Sequence, residues 1–235
     1  TRTLATYSYE LNNKKAPFDN VNVRKALNLS LDRNVITDKV LGQGQTPTYV
    51  FTPTYIEEGH LIQQPAYSKE PMAQRNEEAI KLLEEAGYSK ANPLKFSILY
   101  NTNENHKKVA IAAASMWKAN TKGLIDVKLE NQEWKTYIDS RRAGRYDAAR
   151  AGWNADYNQA TTFGNYFLSN SSNNTAKYAN PEYDKAIAES YVATDAEGRA
   201  KAYAKAEEIL AKDFGIVPIF NYVNPRLVKP YVKGY

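Results

Sequence analysis

The chain of 235 residues contains no cysteine, and this removes a whole class of chemistry. Without thiols it can form no disulfide, use no thiolate nucleophile and hold no metal through sulfur. Histidine is nearly as scarce, because only His60 and His106 are present, far apart and outside any His-x-x-x-His spacing. We therefore expect no metal site and no other cofactor.

The local signatures of catalysis and nucleotide binding are absent as well. No Gly-x-Ser-x-Gly occurs, and Gly42-Gln-Gly44 lacks the third glycine of a dinucleotide loop and follows a predicted helix. Paired acids such as Glu84 and Glu85 lie on predicted amphipathic helices, where adjacent side chains do not converge on one substrate. A peptidase remains an alternative, but the missing nucleophile and metal motifs argue against any enzyme.

No apolar run approaches the length of a membrane span, so we expect no direct membrane insertion. The chain opens on Thr1 with neither Met nor a signal peptide, which indicates a processed product or a fragment of something longer.

Net charge is +5 and the pI is about 9.1, which raises a nucleic-acid-binding module as an alternative. The basic residues are mostly interleaved with acids, as in the segments 77–85 and 207–213, and this pattern is typical of a solvated helix face. The densest positive group, 141–145, is short. We therefore expect no nucleic-acid partner.

Hydrophobic residues make up 43% of the chain and aromatic residues 12%, enough to bury a core. Periodicity predicts strands over 3–11, 94–100, 125–132, 146–153 and 216–223, and helices over 21–41 with a break at Asp32, 76–86, 106–120, 134–142, 163–168, 181–192 and 196–212. The proline- and tyrosine-rich segment 45–71 has little periodicity and is predicted to be an ordered connection that packs over the rest of the domain. We call this segment the excursion. The β-α-β-α-β succession from 94 to 153 predicts an α/β fold with a mixed, mostly parallel sheet flanked by helices.

The segment 145–158 is the strongest local candidate for a site. It reads as a short buried strand that breaks into a polar loop, with Arg150 on the strand and Asp156 beyond it. Gly152 has no side chain and leaves room for another backbone to approach. An extended peptide along this strand would place its amine near Asp156 and its carboxylate towards Arg150, running antiparallel. The simpler alternative is a surface ion pair between the two charged residues.

Several longer segments resemble the periplasmic oligopeptide-binding proteins of bacterial ABC importers. They are LENQEWKTYIDSR at 129–141, DAARAGWNADYN at 147–158, LSNSSNNTA at 168–176 and PRLVKP at 225–230, with further similarity at 9–13, 21–27 and 100–102. The resemblance implies that 1–235 is a single lobe of the type II periplasmic binding-protein kind, the large carboxyl-side one of two lobes that close over a peptide. It implies a peptide-transport role in the periplasm, with an oligopeptide ligand, the second lobe, and a membrane permease with ATPase subunits as partners.

The resemblance also implies roles for individual residues. Asp156 falls on the anchor for the peptide amine, Arg150 and His106 fall on carboxylate partners, and Arg141 lies nearby. The remaining positions are the pairing strand Gly152, Trp153 and Asn154, the pocket walls Trp134 and Trp153, and the further contacts Asn101 and Tyr222. Departures from the family pattern at Ser8, Leu41 and Asn154 leave open a related ligand, namely a murein peptide, a dipeptide or haem.

Overall fold

A computed structural model of the chain describes residues 2–223, so the PRLVKP segment at 225–230 and the predicted trailing segment 228–235 lie outside the described residues. The described part is built on one six-stranded sheet of order β2-β6-β1-β5-β3-β4. Its strands are β1 (Arg2–Leu11), β2 (Thr46–Pro47), β3 (Leu94–Asn101), β4 (Ile125–Gln132), β5 (Ala148–Asn154) and β6 (Ile216–Val223).

The predicted α/β fold with a mixed sheet is confirmed, but parallel pairing does not predominate. Of the five pairings in the described sheet, β3 with β4 and β3 with β5 are parallel, and the other three are antiparallel. The parallel part is the predicted β-α-β-α-β unit, whose crossover helices impose that direction. The strands β1, β2 and β6 lie outside this unit and join its edge in antiparallel ladders.

Seven α-helices surround the described sheet, and none of them is long and apolar enough to cross a membrane. They are α1 (Val21–Leu29), α2 (Met72–Glu85), α3 (Glu104–Asn120), α4 (Trp134–Ala143), α5 (Thr161–Gly164), α6 (Pro181–Val192) and α7 (Ala196–Asp213). A π-helix (Val35–Leu41) follows the predicted break at Asp32, whose Oδ1 accepts the Val35 amide at 3.3 Å. Two short 3₁₀ helices occur at Ala66–Lys69 and Asn165–Phe167.

The helices cover the sheet on two sides. The first side, which we call the α3 face, packs α1, α2 and α3 against side chains such as Tyr9, Ile98 and Ala148. The other, the α4 face, carries α4 over Leu99 and Ala149 and a second core that contains α5, α6, α7 and part of the excursion. Because side chains alternate along each strand, neighbouring residues of β3 and β5 belong to different cores.

The excursion 45–71 contributes the short strand β2, which periodicity missed, and is tied to the rest of the described chain by hydrogen bonds. The buried carboxylate of Glu207 on α7 accepts the amides of Phe51 and Thr52 at 3.2 and 2.5 Å. The Thr6 hydroxyl donates to the Phe51 carbonyl at 2.7 Å. These bonds replace a regular ladder, which explains why the segment holds its position with little secondary structure.

The strand order places β3 between β4 and β5, while α3 and α4 lie on opposite faces. From β3 the chain passes through α3 to β4 on one side of β3, and then through α4 to β5 on the other side. In α/β sheets, such a switch point opens a crevice at the carboxyl ends of the strands. Here the crevice lies between the ends of β3 and β5.

Candidate ligand-binding site

The two strands at the switch point pair over only two residues and then separate. Ile98 lies opposite Ala148 and Leu99 opposite Ala149. Beyond them β3 runs on to its last residue at 101 and β5 to its last residue at 154. We call this opening the β3–β5 fork.

One edge of β5 carries main-chain groups that face the fork. The amide of Ala155 donates to the Leu4 carbonyl at 2.9 Å, so the odd-numbered residues of β5 direct their main-chain groups to β1. Gly152 and Asn154 have the opposite phase and direct theirs to the fork. Both residues are exposed. The predicted pairing strand therefore offers a free hydrogen-bonding edge.

Arg150 lies on the α3 face beside this edge. Its Nη2 donates to the Tyr222 hydroxyl at 3.0 Å and its Nη1 to Asn101 Oδ1 at 3.4 Å, while the guanidinium carbon lies 5.1 Å from the centre of the Tyr7 ring. Within residues 2–223 no carboxylate pairs with it, so the simple ion pair with Asp156 is not formed. The fork thus holds an uncompensated positive charge.

His106 lies in the first turn of α3, next to the same cation. Its amide donates to Asn103 Oδ1 at 3.0 Å, and its Nδ1 shares a hydrogen bond of 3.0 Å with the Tyr7 hydroxyl. Burial, and then the charge of Arg150, lower the pKa of His106 to about 3. The imidazole is therefore neutral at physiological pH, and Arg150 is the permanent cation of the pair.

The space into which a side chain at position 152 would point is occupied by neighbouring side chains. A Cβ at this position would lie 2.6 Å from Arg150 Nη2 and 3.2 Å from the Tyr222 hydroxyl. The prediction of free space above Gly152 is thus wrong on the α3 face, because the guanidinium folds back over the glycine. The approach along the strand edge remains.

Asp156 lies just beyond β5 in an exposed bend. Ala155 is fixed to Leu4, and Asn158 Oδ1 accepts the Glu57 amide at 2.9 Å, so both ends of the bend are held. The Asp156 carboxylate itself makes no hydrogen bond or ion pair with another described residue. A free carboxylate at the end of a free strand edge is suited to receive an ammonium group.

A pocket of about 530 Å³ opens on the α4 face of β5, and Trp134, Arg141, Trp153 and Tyr166 are among its walls. Trp134 is 59% exposed, and the half-buried Trp153 donates its Nε1–H to the Thr162 carbonyl at 2.8 Å. Both Trp residues predicted as pocket walls thus line one cavity, which is separated from Arg150 and His106 by the sheet.

The Arg141 guanidinium lies beneath this pocket and forms an ion pair there. Its Nη2 lies 3.2 Å from the buried Glu10 carboxylate, which also accepts the hydroxyls of Tyr166 and Thr175. Glu10 raises the pKa of the Arg141 guanidinium despite burial, which acts in the opposite direction. Arg141 is therefore the charge partner of Glu10, on the opposite side of the sheet from Arg150.

Local sequence reasoning proposed Arg150, Gly152 and Asp156 as site residues, and it did not single out Glu10 or Tyr7. The one signal for Glu10 was an acid in an otherwise uncharged predicted strand, and the signal for Tyr7 was the excess of 18 Tyr over 7 Phe. Among residues 2–223, no group of three His, Asp or Glu side chains is placed to hold a metal.

Comparison with known proteins connects this geometry to a family. Residues 1–175 match the model of bacterial extracellular solute-binding proteins, family 5, middle region. The chain is 97% identical over all of its 235 residues to the periplasmic oligopeptide-binding protein OppA of Haemophilus influenzae, and covers 43% of that protein. It is 44% identical to the periplasmic murein peptide-binding protein MppA of Escherichia coli, with 99% of this chain and 43% of that protein covered.

Among solved structures, Haemophilus influenzae OppA in complex with RPPGFSPFR matches with a TM-score of 0.95 and 96% identity, over 95% of this chain and 44% of that chain. The chain thus spans less than half the length of the relatives it matches. With most of its residues matched by the family model, it belongs to the bacterial extracellular solute-binding proteins of family 5.

Proposed function

We propose that this chain forms one wall of a site that binds short peptides in extended form. The observation that carries the proposal is the free edge of β5 at Gly152 and Asn154, inside a fork between strands. A peptide main chain has the complementary row of donors and acceptors, and pairing through main-chain groups is insensitive to side-chain identity. The name of the OppA relative and the nonapeptide in its structure support this ligand class.

The ends of the peptide are recognised by charge. The free carboxylate of Asp156 receives the amine, and the uncompensated guanidinium of Arg150 receives the carboxylate, assisted by His106 and with Asn101 and Tyr222 as neighbours. This arrangement directs the peptide antiparallel to β5. Ligand side chains that point to the α4 face enter the pocket between Trp134 and Trp153.

The role is binding rather than catalysis, and it belongs to a larger assembly. A second lobe closes the site from the other side, and a membrane permease with ATPase subunits receives the peptide in the periplasm. Because this chain supplies only part of the contacts, it should bind peptide weakly by itself. The predicted roles of Arg141 and of 1–235 as one complete lobe remain part of the proposal.

The test is an NMR titration of the chain with an unblocked tripeptide, its N-acetylated form and its C-terminal amide. We expect amide shifts centred on 150–156 with the unblocked peptide. Acetylation and Asp156→Asn should each remove most of the response, and amidation should weaken it. Glu77→Gln is the matched control, because it removes an exposed acid on α2, far from the fork.

Two results would overturn the proposal. One is binding that survives both acetylation and Asp156→Asn. The other is the absence of peptide binding in both this chain and the full two-lobed protein. Salt-sensitive binding of single-stranded DNA with no response to peptide would favour the nucleic-acid alternative instead. The same titration with a murein tripeptide, a dipeptide and haem compares the related ligands.

A further inference from the structure

Tyr137 lies where the ladder between β3 and β5 would otherwise continue. Its fully buried ring belongs to the same small core as Leu99 and Ala149, the last paired residues of the fork. Its hydroxyl donates a hydrogen bond to the carbonyl oxygen of Arg150, the next residue of β5. A side-chain donor from α4 therefore replaces a main-chain donor from β3.

The replaced main-chain donor is the amide of Asn101. The amides of Leu94 and Thr102 donate to carbonyls on the β4 side, at 2.8 and 3.1 Å. Even-numbered residues of β3 therefore direct their amides to β4, and odd-numbered residues direct theirs to β5. The amide of Asn101 thus points towards the fork.

The register identifies the two bonds that the fork leaves unmade. With Leu99 opposite Ala149, a continued parallel ladder would join the Asn101 amide to the Arg150 carbonyl. It would also join the Gly152 amide to the Asn101 carbonyl. Tyr137 takes the acceptor of the first bond. The donor of the second, the Gly152 amide, is thereby left on the open edge.

Arg141 fixes the direction in which the Tyr137 hydroxyl donates. Arg141 Nη1 lies 3.3 Å from the hydroxyl oxygen, and a guanidinium can only donate. The hydroxyl proton is therefore directed at the Arg150 carbonyl. Arg141 is itself held by Glu10 at 3.2 Å and by the Thr175 hydroxyl at 3.1 Å.

We propose that Tyr137, oriented by Arg141, is a positioning residue that holds the β3–β5 fork open by occupying the Arg150 carbonyl. Without its hydroxyl, the Asn101 amide takes that carbonyl and the ladder closes as far as Gly152. The edge proposed to bind peptide is then used within the chain. The consequence for binding rests on the proposed peptide function, whereas closure of the fork can be observed without any ligand.

The first readout uses the ligand-free chain and the variant Tyr137→Phe, which keeps the ring. We expect the amides of Asn101 and Gly152 to exchange with solvent at least about tenfold more slowly, and new cross-strand contacts between these residues in NMR spectra. Global stability should fall at the same time, because a buried hydrogen bond is lost. A merely structural role would speed exchange at both amides rather than slow it.

Tyr146→Phe is the matched control. Tyr146 is also buried in this core, but its hydroxyl donates to the Thr175 carbonyl at 2.5 Å and not to a main-chain group of β3 or β5. We expect it to lower stability by a similar amount and to leave the exchange of Asn101 and Gly152 no slower than in the unchanged chain.

The second readout is tripeptide affinity, which should weaken about tenfold in Tyr137→Phe and stay within about twofold in Tyr146→Phe. Unchanged or faster exchange at Asn101 and Gly152 in Tyr137→Phe would overturn the inference. If the unchanged chain and the two-lobed protein bind no peptide, the proposed function fails. The exchange comparison still decides whether Tyr137 holds the fork open.

Discussion

Arg141 and Glu10 form an ion pair of 3.2 Å beneath β5, although 130 residues separate them along the chain. The Glu10 side chain is 1% exposed and that of Arg141 11%. Two charges removed from water in this way depend on each other, because either one alone would remain buried without compensation.

Breaking this pair should be costly. We expect Arg141→Met to lower the free energy of unfolding by about 3 to 5 kcal/mol, since Glu10 then keeps a buried charge with only hydroxyl donors. The double variant with Glu10→Gln should cost clearly less than the sum of the two single changes. Urea unfolding measures all three. Additive losses would show that the two charges do not stabilise each other.

His106 should make stability depend on pH. Its pKa in the folded chain, about 3, lies below the ordinary 6.5, so the unfolded chain takes up the proton first as pH falls. Its contribution is complete above about pH 6.5 and is lost towards pH 3. Compared with His106→Gln, the unchanged chain should therefore lose more stability between pH 7 and 4. Parallel curves of unfolding free energy against pH would contradict this.

Arg150 should influence the same titration. It is the second cause of the lowered His106 pKa, after burial. Arg150→Met should therefore raise that pKa, but leave it below 6.5 because burial remains. An NMR titration of the imidazole carbon resonances measures the change. Lys107→Met, an exposed cation one residue along α3, is the control and should have a smaller effect. An equal shift in both variants would remove the special role of Arg150.

Glu207 should anchor the excursion through two main-chain amides. Glu207→Gln replaces a doubly accepting carboxylate by an amide, whose NH₂ group cannot accept from Phe51 or Thr52. We expect a loss of about 1 to 3 kcal/mol and faster exchange of the Thr52 amide. Glu208→Gln is the control, because Glu208 is exposed and its ion-pair partner among the described residues is the exposed Lys212. That change should stay within about 0.5 kcal/mol.

Replacing Trp117 should affect the stability of the fold, whereas replacing Trp134 should affect peptide binding. Trp117→Ala removes a fully buried ring and should cost about 3 to 5 kcal/mol. Trp134 is 59% exposed, so its replacement by Ala should change stability by no more than about 0.5 kcal/mol. The same replacement should weaken the binding of peptides with large side chains. Unfolding and peptide titration of both variants give the comparison. A Trp134→Ala variant that loses stability but keeps its affinity for peptide would show that this ring stabilises the fold and does not bind the ligand.

Much of the fold follows from local sequence. The helix 181–192 agrees with its prediction at both ends, because Pro181 follows the capping residue Asn180, whose side chain accepts the Glu182 amide at 2.9 Å. Helix α2 begins four residues earlier than predicted, at Met72, directly after Pro71, which is the N-cap residue with a fixed φ of −59°. Such signals lie within a few residues of the element they define.

The features that sequence reasoning missed depend on distant contacts. The antiparallel direction of β6 against β1 joins segments about two hundred residues apart, and no local pattern encodes it. Tyr137 reads as an ordinary apolar position of an amphipathic helix, and its hydroxyl acquires a role only when β5 passes beneath it. Arg150 and Asp156 could be proposed locally because one short segment carries both.

The missing side chain of Gly152 links main-chain recognition to charge placement. A Cβ at this position would lie 2.6 Å from Nη2 of Arg150, closer than two non-bonded atoms approach each other. An alanine there would leave the main-chain donors and acceptors of β5 unchanged, yet the end of the Arg150 side chain would have to shift to make room for its Cβ. The absence of a side chain at position 152 therefore helps to set where the positive charge of the fork lies, in addition to exposing the main-chain edge of β5.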